Sequence, residues 1–256
     1  MENQVVQESQ PKTEHKFPSE IIELPSKGLV YPKENPLSSG KIEMKYMTAK
    51  EEDILTNQNY IRQGVVLDKL LNSLILSKVK YNDLIIGDKN AVLIAARVLG
   101  YGKDYKFTYL GEEKVIDLSK LENKKIDESL FVDGKNEFYL TLPHSGTDIT
   151  FKILTHGDEN KIEREITGLK KLNKTHSPDV TTRLKHIILS VNGDYEAKTV
   201  RDFVDNYLLA IDSKALRDKI REIQPDILSV FTYTDYNGDE KEVDLPIGPS
   251  FFFPDV

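Results

Sequence analysis

The 256-residue chain contains no cysteine and no tryptophan. The first absence excludes disulfides, thiol nucleophiles, iron–sulfur clusters and every zinc site that needs thiolate, and it fits a reducing compartment. No run reaches the roughly 18 apolar residues of a membrane span, and the opening MENQVVQESQPKTEHK is polar, without a basic stretch leading into an apolar one. Neither a membrane contact nor a signal peptide is therefore expected. A basic surplus is also missing. The 35 Lys and Arg stand against 42 Asp and Glu, a formal net charge of −7, so nucleic acid is not the expected ligand.

The motifs of common chemistries are absent as well. There is no HExxH, no GxSxG, no GxxxxGK[ST] and no GxGxxG. The histidines, His15, His144, His156, His176 and His186, never fall at the i, i+3 or i, i+4 spacing of helical metal pairs. Beside Ile187 and Ile188, His186 reads as a satisfied, partly buried side chain. Gly100-Tyr101-Gly102 follows a helical pattern, where glycines stop a helix, and phosphate cradles instead precede one. Asp235-Tyr236-Asn237-Gly238-Asp239 begins like a calcium loop, but Pro246 stands where the bidentate Glu is needed, so it reads as a hairpin turn. No catalytic, cofactor-binding or metal-binding residue emerges, and a non-enzymatic protein is expected.

What is present is 39% hydrophobic residues in a chain long enough for a substantial core. Residues 1–17 lack periodicity and read as a disordered arm. Ile21 to Pro32, followed by Pro36, is punctuated by proline and glycine and reads as an extended, turn-rich strap. Residues 40–47 alternate charged and apolar side chains, as a half-buried strand does. Thr48 and Glu51 form a capping box for a helix over 49–55. Leu67, Leu70, Leu71, Leu74 and Ile75 mark a second helix starting near Tyr60 or Val65. Asp88 is placed to cap a third, over 89–99, apolar nearly all round and thus internal, with Gly100 and Gly102 as its exit.

The middle reads as two antiparallel hairpins, 105–109 with 114–118 and 137–142 with 148–154. Beyond Asp158 helical stripes return: Ile162, Ile166 and Leu169, then Leu184, Ile187, Ile188 and Val191. Thr199 with Asp202 reads as a weaker capping box before Val200 to Leu208, and Ser213 as the cap of 214–223. Asn237-Gly238 centres a last hairpin, 230–233 with 241–245. The expected fold is α+β. It runs from the arm (1–17) through a strap, strand and helices (18–104) and a small hairpin module (105–156) to a helical part with a C-terminal hairpin and aromatic tail (157–256). Charge is uneven: 226–256 carries a net of −6 and 160–190 a net of +4. Solvated faces explain this, or else an interaction surface.

Leu24-Pro25-Ser26-Lys27-Gly28-Leu29-Val30-Tyr31-Pro32, Met44-Lys45-Tyr46-Met47-Thr48, Ala49 to Leu55, Leu67 to Leu71, Gly87-Asp88-Lys89-Asn90 and Arg97 to Gly102, in that order, resemble the T4-type phage baseplate protein family. The likeness spans about residues 20–105, and Phe251-Phe252-Phe253-Pro254 resembles the family's aromatic-proline ending; between 105 and 225 it is looser. Some members of the family carry a zinc ribbon after the YG element; with no cysteine, none is expected here. The resemblance implies a non-enzymatic protein of a contractile-tailed phage that assists assembly of the baseplate hub. Its implied partners are other tail proteins, whether hub, spike or tape measure. It would act in the host cytoplasm, with the virion baseplate as a further location. A tail assembly chaperone for the tape-measure protein and a minor structural subunit of the baseplate are the alternatives. The residues offered as partner contacts are Leu24, Pro25, Lys27, Gly28, Leu29, Tyr31 and Pro32, together with Phe251, Phe252, Phe253 and Pro254. A proline-stiffened strap and clustered aromatics lose little entropy on docking. The other possibility is that both segments pack on their own domain as closing straps.

Overall fold

The computed structural model describes residues 18–132, 134–172, 178–234, 237–247 and 251–252; the expected arm over 1–17 lies outside them. The alternation read in the N-terminal strand appears as drawn. Ser19–Glu23 (β1) and Lys41–Lys45 (β2) pair antiparallel, Ile22 opposite Ile42 and Glu20 opposite Met44. Ile42 and Met44 are buried, while Lys41 and Glu43 face solvent. Between the two strands the chain turns repeatedly, closed by the Leu24 N–H to Gly40 carbonyl bond at 2.8 Å.

The capping box is present. The Glu51 carboxylate accepts from the Thr48 backbone N–H at 3.0 Å and its hydroxyl at 2.6 Å, opening helix α1, Ala49–Leu55. The expected second helix takes the later of its two starts, as α3, Val66–Leu74, with Val65 at its N-cap, and a separate short helix, α2, Gln58–Arg62, precedes it. Gly64, at φ 68°, turns the chain between them. In α3, Leu70, Leu71 and Leu74 are buried.

The third helix, α4, runs from Ile86 to Tyr101 and is internal, with Val92, Leu93, Ile94, Ala96 and Leu99 buried. Its N-cap is Ile85; Asp88 sits inside the first turn and caps nothing. Gly102, at φ 83°, ends the helix, whereas Gly100 belongs to it and gives Met47 room: a Cβ there would meet the Met47 methyl at 2.8 Å.

Asp104–Tyr109 (β3) and Glu112–Asp117 (β4) form the first expected hairpin, turning at Leu110 and Gly111, both at positive φ. Phe138–Thr141 (β5) and Asp148–Phe151 (β6) form the second. They do not make one module. Helices α5, His156–Leu172, and α6, Asp179–Ile187, are followed by strand β7, Ile188–Val191, which pairs with β6. Helices α7, Ala197–Asn206, and α8, Ala210–Ile223, lead to the last hairpin, Val230–Thr234 (β8) with Glu240–Asp244 (β9). The first hairpin takes its cover from this last one: Phe107 and Tyr109 lie edge-on to Phe231 at 4.9 and 5.0 Å. An isolated hairpin is marginal in water, so each must bury its apolar face against another element. The nearest available element is distant in sequence.

Three local readings are corrected by the same competition. Leu184, Ile187, Ile188 and Val191 are not one helical stripe; α6 stops at Ile187 and the next residues extend along the open edge of β6, where Thr150 and Ser190 hydroxyls meet at 2.7 Å. Thr199 does not pair with Asp202: its hydroxyl donates to Asp194, and Tyr207 and Leu208 fall beyond α7. Ser213 lies within α8, which begins at Ala210. Beside it the buried Asp212 accepts the His144 and Ser145 N–H groups at 2.9 and 3.0 Å. The chain is thus an α+β fold of eight helices and small antiparallel sheets of two or three strands among the described residues. One continuous apolar core runs from Leu24 to Phe252.

Candidate partner-binding segments

The strap closes on α4. Lys27 and Gly28, at φ 51° and 81°, reverse the chain so that the Leu29 and Tyr31 N–H groups return to the Ser26 and Gly28 carbonyls. A Cβ on Gly28 would lie 2.3 Å from the Ser38 carbonyl oxygen, so the turn admits no side chain. This brings Ser26 and Tyr31 over the first turn of α4. The Ser26 N–H donates to Asp88 Oδ1 at 2.9 Å, its hydroxyl to Oδ2 at 2.7 Å, and the Tyr31 hydroxyl to Oδ2 at 2.6 Å. Tyr31 in turn accepts the Ile85 N–H at 3.0 Å. Asp88 is fully buried. Burial pushes its carboxyl above the ordinary range, against the pull of the Tyr31 and Ser26 bonds, and burial also raises the Tyr31 hydroxyl. Asp88 is therefore the internal anchor of the strap.

The aromatic ending closes on the other end of the same helix. Arg97 is buried, with Nε donating to the Phe251 carbonyl at 2.7 Å and Nη1 to the Gly102 carbonyl at 2.9 Å. Its guanidinium lies 5.3 Å from the Tyr101 ring centre. Phe251 meets Tyr105 edge-on at 4.8 Å and Phe252 at 5.5 Å, and both phenylalanines are fully buried.

These contacts correct the partner-contact reading for most of its residues. Leu24, Pro25, Gly28 and Tyr31 are buried and Leu29 is half-buried in the chain's own core. Phe251 and Phe252 are likewise enclosed, so the apolar groups read as anchors for a partner pack within the chain's own fold. Phe253 and Pro254 lie outside the described residues. From the strap, Lys27, paired with Glu128 at 2.5 Å, and Pro32 face solvent.

A second polar knot was not read from the sequence. Lys89 Nζ lies 3.0 Å from His156 Nδ1, and His156 Nε2 lies 3.0 Å from Asp68 Oδ2. An ammonium can only donate, so Nδ1 accepts, while Nε2 stands between Asp68 Oδ2 and the Asn160 side-chain amide at 3.1 Å. Tyr81 donates to Asp68 Oδ1 at 3.1 Å. Burial raises the Asp68 carboxyl, but the hydrogen bonds from His156 and Tyr81 and the Lys89 charge outweigh it and hold it below the usual range. The knot ties α3, α4 and α5 together. Asp68, Lys89 and His156 stand far apart along the chain, a separation that hides the knot from any search by local spacing. His186, as read, is satisfied: it meets Glu165 at 2.8 Å.

A surface cleft of about 510 Å³ lies between α8 and β8, lined by Lys124, Arg217, Arg221 and Asp226 among others. Its Lys124 is committed to the Arg221, Glu222 and Gln224 carbonyls that end α8. Among the described residues no helix is long and apolar enough to cross a membrane, and no group of three or more carboxylates and histidines is placed to hold a metal ion. Comparison with protein-family models, with curated proteins and with solved structures finds no match to this chain.

Proposed function

We propose that the chain is a non-enzymatic tail protein of a contractile-tailed phage that assists assembly of the baseplate hub through protein contacts. The reading rests on the ordered resemblance over about residues 20–105, and one observation supports it. The stretches that carry the resemblance are spatial partners: Ser26 and Tyr31 of the strap close on Asp88 of the Gly87 to Asn90 stretch. On the same helix, Arg97 of the next stretch holds the carbonyl of Phe251 in the aromatic ending. The resemblance thus follows a folding unit, and chance similarity of scattered short strings would not favour residues in mutual contact. In this reading the protein works in the host cytoplasm, and its partners are hub, spike or tape-measure proteins.

Deleting the gene from the phage tests the proposal. Infected cells are expected to accumulate incomplete baseplates and few tails; complete tails with normal baseplates would refute it. The separation of charge supports a second reading, a chaperone of the tape-measure protein. Glu240, Glu242 and Asp244 share one face of the C-terminal hairpin, by their alternation along β9. Proteomics of purified particles separates the two readings, since a chaperone is expected to be missing from the virion and a baseplate subunit present.

A further inference from the structure

The ladder between β1 and β2 is pinned at its ends by the Leu24 N–H to Gly40 carbonyl bond and the Tyr46 N–H to Pro18 carbonyl bond. In an antiparallel pair bonded residues alternate. Pro18, Glu20, Ile22 and Leu24 therefore face β2, while Ser19, Ile21 and Glu23 turn their N–H and C=O groups to the outer edge. The far side of β2 is covered: Leu76 donates to the Glu43 carbonyl at 2.8 Å, and Ser77 accepts the Glu43 N–H at 2.8 Å. The outer side of β1 has no strand partner among the described residues. At its centre Ile21 is 67% exposed.

We propose that this edge pairs with the same edge of a second copy about a two-fold axis at Ile21, joining the two hairpins into a four-stranded antiparallel sheet. Independently of the phage reading, self-complementarity carries the inference. With Ile21 opposite its own copy, Ser19 faces Glu23 of the second copy and Glu20 faces Ile22. No two like charges stand directly opposite, and Ser19, whose hydroxyl donates to Glu43 of its own subunit at 2.6 Å, is the uncharged residue that meets Glu23 of the second copy. The two glutamates that would otherwise guard the edge are held within their own subunit, Glu20 by the Tyr46 hydroxyl and Glu23 by Lys41 at 3.2 Å. The exposed Ile21 side chains lie side by side on the sheet face. Five residues of edge are small against the ~1,200 Å² at which standard interfaces begin, so the dimer forms in a concentration-dependent equilibrium.

Because the chain has no cysteine, single substitutions report the register directly. Facing residues of a bonded antiparallel pair have Cα atoms ~5.5 Å apart, within disulfide reach, whereas residues offset by two positions lie beyond ~7 Å. Under mild oxidation of the full chain, Ile21→Cys is expected to form a covalent dimer. Ser19→Cys alone is expected to form no disulfide-linked dimer, and Ser19→Cys mixed with Glu23→Cys to cross-link. Ile21→Pro removes an N–H that points away from β2, so it is expected to keep the circular dichroism spectrum and melting of the wild type while abolishing dimers in sedimentation. If Ile21→Cys remains monomeric, if Ser19→Cys alone cross-links as well as the mixture, or if the wild type sediments as a monomer at every concentration, the proposal is overturned.

Discussion

Tyr31 and Asp88, 57 positions apart, meet at 2.6 Å inside the protein. The tyrosine hydroxyl donates to the carboxylate and accepts the Ile85 N–H, so one oxygen joins the strap to the first turn of the central helix. Tyr31→Phe keeps the ring and removes this joint. With a buried N–H and a buried carboxylate each losing a partner, the variant is expected to lose about 1.5–3 kcal/mol in urea unfolding, with an unchanged m value.

Phe251 fills the far end of the same core. Phe251→Ala leaves a cavity beside Tyr105 and Arg97 and is expected to cost about 3–5 kcal/mol. Arg97→Lys keeps the charge but cannot reach the Phe251 and Gly102 carbonyls together, and about 1–3 kcal/mol is expected to be lost. Both are measured by denaturant titration, and a wild-type midpoint in Phe251→Ala would show that the aromatic ending does not hold the core.

Gly28→Ala tests the strap turn. The left-handed conformation alone costs a non-glycine residue about 1–2 kcal/mol. The contact with the Ser38 carbonyl adds to this, because backbone cannot swing aside as a flexible side chain can. Gly111→Ala, also at positive φ but in open space, is expected to lose only the conformational part, so the difference in their melting temperatures isolates the contact.

Glu51 makes the acid stability of the N-terminal half pH-dependent. Burial raises its carboxyl, but the bonds from Lys45 and Thr48 prevail and hold it at about 2 against an ordinary 4.5. A carboxyl depressed on folding stabilises the protein fully above its unfolded value and loses that contribution as pH falls through the folded one. Stability is therefore expected to decline as pH drops from about 4.5 towards 2, and in Glu51→Gln this decline is expected to flatten. At neutral pH the variant is expected to be less stable by roughly 1.5–3 kcal/mol, the worth of hydrogen bonds to a charged group.

The sequence by itself determined the local elements whose causes are local. Thr48 and Glu51 cap α1 because their bonds close within one turn; β2 alternates because Ile42 and Met44 share one face; Asn237-Gly238 and Leu110-Gly111 sit where their hairpins reverse. It also marked α4 as internal, since Ala91 to Leu99 offers no polar face. Tertiary structure alone decided the rest. Asp88 stands where a cap would, yet serves the strap, because Ser26 and Tyr31 supply donors that solvent cannot once the site is buried. Ile188 to Val191 leaves the helix because β6 has an open edge to pair with. From sequence the strap and the aromatic ending read as closing straps or as docking segments, and their place inside the core follows from the cost of leaving Leu24, Tyr31, Phe251 and Phe252 in water when α4 offers both a carboxylate and a guanidinium to fasten them.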